Sequence, residues 1–106
     1  MSIQASDPTA KSTLASAPNI FATGSTASQA LAANQTRKEL ILVNVGTVVV
    51  YVAFGVLPTT ALYHVALSAC GVAGDGTGGS FISDLWKGAV AVISSSAGSV
   101  SIVELS

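Results

Sequence analysis

Few side chains in this 106-residue chain could do chemistry, and they are scattered. His64 is the only histidine and Cys70 the only cysteine. As a general base, His64 would need a nucleophile beside it and a carboxylate to orient it. Serine is abundant, but no nucleophile-elbow pattern surrounds any serine, and His64 reads as a structural or interface residue. Cys70 follows an apolar stretch and precedes Gly71, the setting of a small buried hydrophobe. One His and one Cys exclude a disulfide framework and a multi-ligand Cys/His metal site within one chain. Asp75 and Asp84 are the only acids between Glu39 and Glu104. A hydrolytic carboxylate pair must share a cleft, and nothing in their spacing requires that. Gly74-Asp75-Gly76-Thr77-Gly78-Gly79 satisfies G-x-G-x-x-G. A dinucleotide fingerprint must open a long helix, whose N-terminus holds the pyrophosphate. Here Phe81-Ile82-Ser83-Asp84-Leu85-Trp86-Lys87-Gly88 follows, too short and ended by glycine, so the segment reads as a loop. A single carboxylate in that loop falls short of a calcium site. The expectation is no catalytic, cofactor or metal site, and no enzyme.

The elements around these residues are coloured by an unusual composition. Half the residues are hydrophobic and 8% are charged, against about 25% in ordinary domains. The surface must therefore be Ser, Thr, Gly, Ala and backbone, or be covered by partners. Net charge is −1 with pI ≈ 5.5, which gives no basic footprint for nucleic acid and favours self-association. The first residues carry neither a basic segment nor an apolar core, so no secretory signal is expected. The sequon Asn34-Gln35-Thr36 then reads as a chance match.

Residues 40–57 form an uncharged apolar span long enough for a membrane helix. Asn44, Gly46 and Thr47 interrupt it like a turn, and both halves are rich in β-branched residues. A hairpin, with no membrane, is the expectation: a strand to Val45, a turn at 44–47, and a return strand over 48–54. Further strands are read at 19–23, weakly at 26–33, and at 60–67, 80–85, 89–94 and 99–105, with a long loop at 71–80 and a turn at 95–98. Six to eight short strands with regular turns predict an all-β fold: a small antiparallel β-sandwich or barrel, jelly-roll-like. Residues 1–18, rich in Ser, Ala, Thr and Pro, read as an extended N-terminal arm, and residues 19–106 as the body. A β body this small, without disulfide or metal, is expected to gain stability by oligomerisation. Candidate assembly contacts are Ile3, Leu14 and Pro18 in the arm, Ile20 and Phe21 in the first strand, Tyr63 and His64, and Trp86. Trp86 lies in a polar turn rather than mid-strand, which suits an interface anchor.

Residues 34–46, followed by Val50-Tyr51-Val52-Ala53-Phe54-Gly55, resemble small β-structured virion proteins of tailed bacteriophages. The shared outline is Asn-x-x-Arg, an alternating apolar strand, Asn-x-Gly, then Val-Tyr-x-x-Phe-Gly. The glycine-rich loop, the Trp turn and the final Ser/Val strands extend the resemblance over residues 20–105. Such proteins serve as capsid decoration (cement) proteins, head-fibre or spike bases and tail components. The resemblance implies a structural role in the virion, assembled in the host cytoplasm, with the major capsid protein as partner and no catalysis. A decoration protein that clamps neighbouring capsid subunits as a homo-oligomer, with a trimer favoured, is the leading expectation. The alternatives are a head-fibre, spike-base or tail component, or a carbohydrate-binding β module using exposed aromatics such as Trp86.

Overall fold

Alternation of apolar and small polar residues divides the chain into strands, and the computed structural model, which describes residues 15–17 and 19–106, has eight. They are β1 (Asn19–Thr23), β2 (Ser28–Leu31), β3 (Glu39–Asn44), β4 (Val50–Phe54), β5 (Val65–Leu67), β6 (Ser80–Ser83), β7 (Val90–Ser94) and β8 (Gly98–Leu105). The described residues contain no helix, and so none long and apolar enough to cross a membrane.

The strands form two four-stranded antiparallel sheets, in the orders β1-β8-β3-β6 and β2-β7-β4-β5. The pairs β4-β5, β3-β6, β2-β7 and β1-β8 are those made when a chain doubles back at its middle and the doubled ribbon rolls up. This is the jelly-roll order, a sandwich rather than a barrel. The expected all-β sandwich is therefore the fold. The expected hairpin across residues 40–54 is not formed: β3 and β4 lie in different sheets, and residues 45–49 cross between them. Likewise 95–97 carries the chain from β7 in one sheet to β8 in the other. The strand expected over 60–67 shrinks to Val65–Leu67, because residues 55–64 form the loop at which the chain doubles back. β2 is shorter than the expected 26–33 and is bulged between Gln29 and Leu31.

The core lies between the sheets. Leu40, Leu42, Val100 and Ile102 from the first sheet face Val50, Val52, Leu67, Val90 and Val92 from the second. The period of two in β3 sends Leu40, Leu42 and Asn44 inward and Ile41 and Val43 outward. Burial of these side chains contributes about 1.5–3 kcal/mol each before chain entropy is set against it. Ala15 bridges Leu105, and Ser16 exchanges hydrogen bonds with Glu104 on both its backbone and its hydroxyl, so residues 15–17 lie along the end of β8.

Candidate assembly surface

Because the strands alternate in direction, the crossings gather at two ends of the sandwich. Residues 24–27, 45–49, 68–79 and 95–97 lie at one end, and 32–38, 55–64 and 84–89 at the other. Each end is closed by a polar knot built around one buried side chain.

At the first end that side chain is Asn44, with no exposed surface. Its amide nitrogen donates to the carbonyls of Val48 (2.8 Å) and Leu67 (2.9 Å), and its side-chain oxygen accepts from the Gly46 amide (2.9 Å). Its backbone carbonyl accepts from the Cys70 thiol at 3.3 Å. Gly78 packs so closely here that a Cβ would lie 1.8 Å from that same oxygen. Thr23 and Ser94 join their hydroxyls at 2.8 Å and link the two sheets. The G-x-G-x-x-G loop belongs to this end and leads into a strand, not a helix. Gly74 and Gly76 take positive φ, at 74° and 82°. Asp75 turns its carboxylate onto its own loop, accepting from the Thr77 hydroxyl (2.6 Å), the Thr77 amide (2.9 Å) and the Val72 amide (2.9 Å). The Thr77 hydroxyl first, then the Thr77 and Val72 amides, lower its pKa to about 2.

At the second end the buried side chain is Arg37, 1% exposed. In the sequence Arg37 stands out only as the arginine of the Asn-x-x-Arg outline. Its Nε and Nη2 both lie 2.8 Å from Glu104 Oε1. Nη1 donates to the carbonyls of Gly88 (2.9 Å) and Trp86 (3.2 Å), and Nη2 to that of Ala32 (3.0 Å). Lys87 Nζ donates to the Arg37 carbonyl, and Asn34 Nδ2 to Glu104 Oε1 at 3.3 Å. One guanidinium thus ties the 32–38 crossing, the 84–89 crossing and β8. A fork of five donors suits a site rich in carbonyls. The signal available in the sequence was the pair Arg37 and Glu104, the latter an acid inside an otherwise apolar and serine-rich strand.

The candidate contacts separate on this frame. Ile3, Leu14 and Pro18 lie outside the described residues. Ile20 is exposed on the outer face of β1, whereas Phe21 points inward and packs against the core. Tyr63 is exposed and lies over Tyr51, with ring centroids 4.7 Å apart. His64 stacks on Phe54, and its Nδ1 accepts the Phe54 amide at 2.9 Å, so this nitrogen serves the backbone. Trp86 packs against the core and Phe54, and its indole N–H donates to the Ala89 carbonyl at 3.0 Å. Gly88 leaves room for the ring, since a Cβ there would lie 2.4 Å from it, and Gly55, at a φ of 80°, lies against it. The structure thus brings Tyr63, His64 and Trp86 to the same end of the sandwich, and places Ile20 and Phe21 on an edge strand of the other sheet.

Around this second end, Val56, Leu57, Leu62, Tyr63 and Leu85 expose large apolar surface. Val56 and Leu57 also wall a cleft of about 260 Å³, completed by Gln29, Gly55, Ala89 and Ala91. No charged side chain lines it. Arg37, Lys87 and Glu104 are turned into the knot beneath. Among the described residues, no three His, Cys, Asp or Glu side chains come together to hold a metal. No protein-family model, curated protein or solved structure matches the chain.

Proposed function

We propose that the chain is a structural virion protein, a capsid decoration (cement) protein that clamps neighbouring major capsid subunits and stabilises the head. The observation that carries this reading is the loop end at which Val56, Leu57, Leu62, Tyr63 and Leu85 expose large apolar side chains. Clusters of exposed apolar side chains of this kind mark protein-interaction sites. The jelly-roll order supports the reading by analogy, since viral capsid domains use it, although lectins and cupins use it too. The resemblance of residues 20–105 to small phage virion proteins points the same way. The Arg37 knot suits a clamp, because it holds the 84–89 crossing that carries Leu85 to the sandwich and limits the ordering cost of docking there. A glycan-binding module is disfavoured by Trp86, whose ring and N–H are engaged internally.

Co-sedimentation with heads assembled from the major capsid protein of the phage that encodes the chain tests the proposal. The wild-type chain is expected to pellet with the heads and to raise their melting temperature. Leu57→Asp combined with Leu62→Asp is expected to weaken binding at least tenfold while the sandwich stays folded. Failure of the wild-type chain to bind such heads overturns the reading.

A further inference from the structure

The 55–64 loop is fastened to the sandwich by an imidazole, and that fastening depends on one proton. Strand β5 pairs with β4 only as far as Val65, opposite Val52. Beyond it the His64 amide donates to the Val52 carbonyl at 2.8 Å, and the strand ends. The Phe54 amide then meets no carbonyl of the facing strand and donates to His64 Nδ1 at 2.9 Å. A backbone amide can only donate, so Nδ1 must hold a free lone pair and the ring proton must sit on Nε2. His64 is thus held as a neutral imidazole that adds one rung to the β4-β5 ladder. The loop beyond it is closed on itself. The Thr59 amide donates to the Leu62 carbonyl at 2.8 Å, and the Thr59 hydroxyl accepts from the Leu62 (2.9 Å) and Ala61 (3.2 Å) amides. To the sandwich the loop is tied by the Gly55 amide on the Ala89 carbonyl (3.0 Å) at one root, and by the two His64 bonds at the other.

We infer that His64 is a pH-sensitive latch on the 55–64 loop: the neutral imidazole holds the loop, and protonation of Nδ1 releases it. A protonated imidazole carries a donor on both nitrogens and accepts nothing. Its Nδ1–H would point at the Phe54 N–H, and the ring has to swing away. Stacking on Phe54, with centroids 5.7 Å and planes 4° apart, is not the latch, since an aromatic face attracts a cation as well. The hydrogen bond is the latch, because it exists in one protonation state only. Histidine is the side chain suited to change charge between pH 5 and 8, and little around His64 can act in its place. Residues 40–74 contain no Asp, Glu, Lys or Arg. The titratable groups of β4 and the loop are Tyr51 and Tyr63, and β6 and β7 supply none. On the 84–89 crossing, whose Trp86 packs on Phe54, Lys87 is turned to the Arg37 carbonyl, and Asp84 pairs with no cation among the described residues. The fastened loop holds the neutral form, so the latch is closed at high pH and opens as pH falls. One hydrogen bond of this kind is worth roughly fivefold in a local equilibrium. Val56, Leu57, Leu62 and Tyr63 belong to this loop, so opening loosens the surface proposed to dock on the capsid and sets a positive charge beside it. That consequence rests on the proposed function, whereas the latch itself does not.

Hydrogen exchange of the full chain, followed by nuclear magnetic resonance between pH 8 and pH 5 and corrected for intrinsic exchange rates, tests the latch. Protection of the Phe54 amide is expected to fall roughly fivefold in wild type as pH falls, while protection of the Leu42 amide in β3 stays constant and shows that the sandwich remains folded. His64→Asn puts an amide oxygen in the place of Nδ1 and does not titrate, so its Phe54 protection is expected to stay level across the range. His64→Ala, with no acceptor, is expected to show at pH 8 the weak protection of wild type at pH 5. Constant Phe54 protection in wild type overturns the latch. So does a fall in His64→Asn equal to that of wild type, or full protection in His64→Ala at pH 8. Binding to capsid heads is expected to weaken several-fold from pH 8 to pH 5 in wild type and to stay level in His64→Asn. Equal weakening in both overturns control of docking by the latch. Absence of binding at either pH overturns the capsid reading, and the exchange data still decide the latch.

Discussion

Arg37 shows how one charge can be kept inside a small apolar sandwich. Its guanidinium meets one carboxylate and three backbone carbonyls, so every direction of its fork is answered. Removing one partner of a buried pair leaves the other charged and unsatisfied, which typically costs about 3–5 kcal/mol. Glu104 keeps some contact with water, which places the expected loss at the lower part of that range. Arg37→Met should therefore lower the free energy of urea unfolding by about 3 kcal/mol. Arg37→Lys should recover little of it, because an ammonium cannot span four acceptors arranged for a planar fork. Equal stability of wild type and Arg37→Met would mean that the knot holds no more than its apolar surroundings do. The sequence concealed this residue. Arg37 stands beside Lys38 and Glu39, and such a run normally lies in solvent. Only the return of β8, 67 residues later, supplies Glu104.

At the scale of elements, what could be read from the sequence was local and what could not was the pairing. The strand Asn19–Thr23 and the two final strands follow from β-branched runs bounded by Gly and Ser, and the structure places them within a residue of the expectation. The turn at 44–47 was also legible, through the Asn44 side chain that captures the Gly46 amide. Its consequence was misread, because such a turn reverses the chain equally well within one sheet or across two. What decides is the far partner, β8 and β6 for β3, β7 and β5 for β4, and no nearby residue announces it. The candidate surface was half legible for the same reason. Tyr63, His64 and Trp86 were picked out singly, while Leu57, Leu62 and Leu85 join them only because two crossings share an end. The glycine-rich loop makes a prediction at this scale. Its carboxylate, Asp75, has its pKa lowered to about 2 by the Thr77 hydroxyl and amide and the Val72 amide. A lowered folded-state value means that the carboxylate orders the loop above the ordinary value near 3.8 and that this ordering is lost as pH falls through about 2. The Thr77 and Val72 amide resonances should titrate with a midpoint near 2, and Asp75→Asn should abolish that titration. A midpoint near 4 would show that the loop does not hold its carboxylate.

For the whole molecule, the doubled ribbon sets the order in which contacts become available. β4 and β5 pair across a single loop, while β1 and β8 pair only after nearly the entire described chain has been gathered. Non-local pairing of this kind makes folding slow, on the millisecond-to-second scale. It also makes the molecule depend on its C-terminal segment out of proportion to length. β8 lies between β1 and β3, supplies Val100 and Ile102 to the core, and carries the Glu104 that answers Arg37. Without it, β1 has no partner strand, β3 keeps only β6, the inner face of that sheet loses its centre, and a buried guanidinium loses its carboxylate. A chain of residues 1–97 still contains seven of the eight strands and Trp86, yet it should not fold. Its circular dichroism should lack the β minimum, and its Trp86 emission should match that of the urea-unfolded full chain. Adding residues 98–106 as a separate peptide should restore both signals only at high peptide concentration, since the loop-closure advantage of the intact chain is gone. Cooperative urea unfolding of the 1–97 chain would show instead that the β2-β7-β4-β5 sheet is the independent folding unit and that the other sheet is added to it.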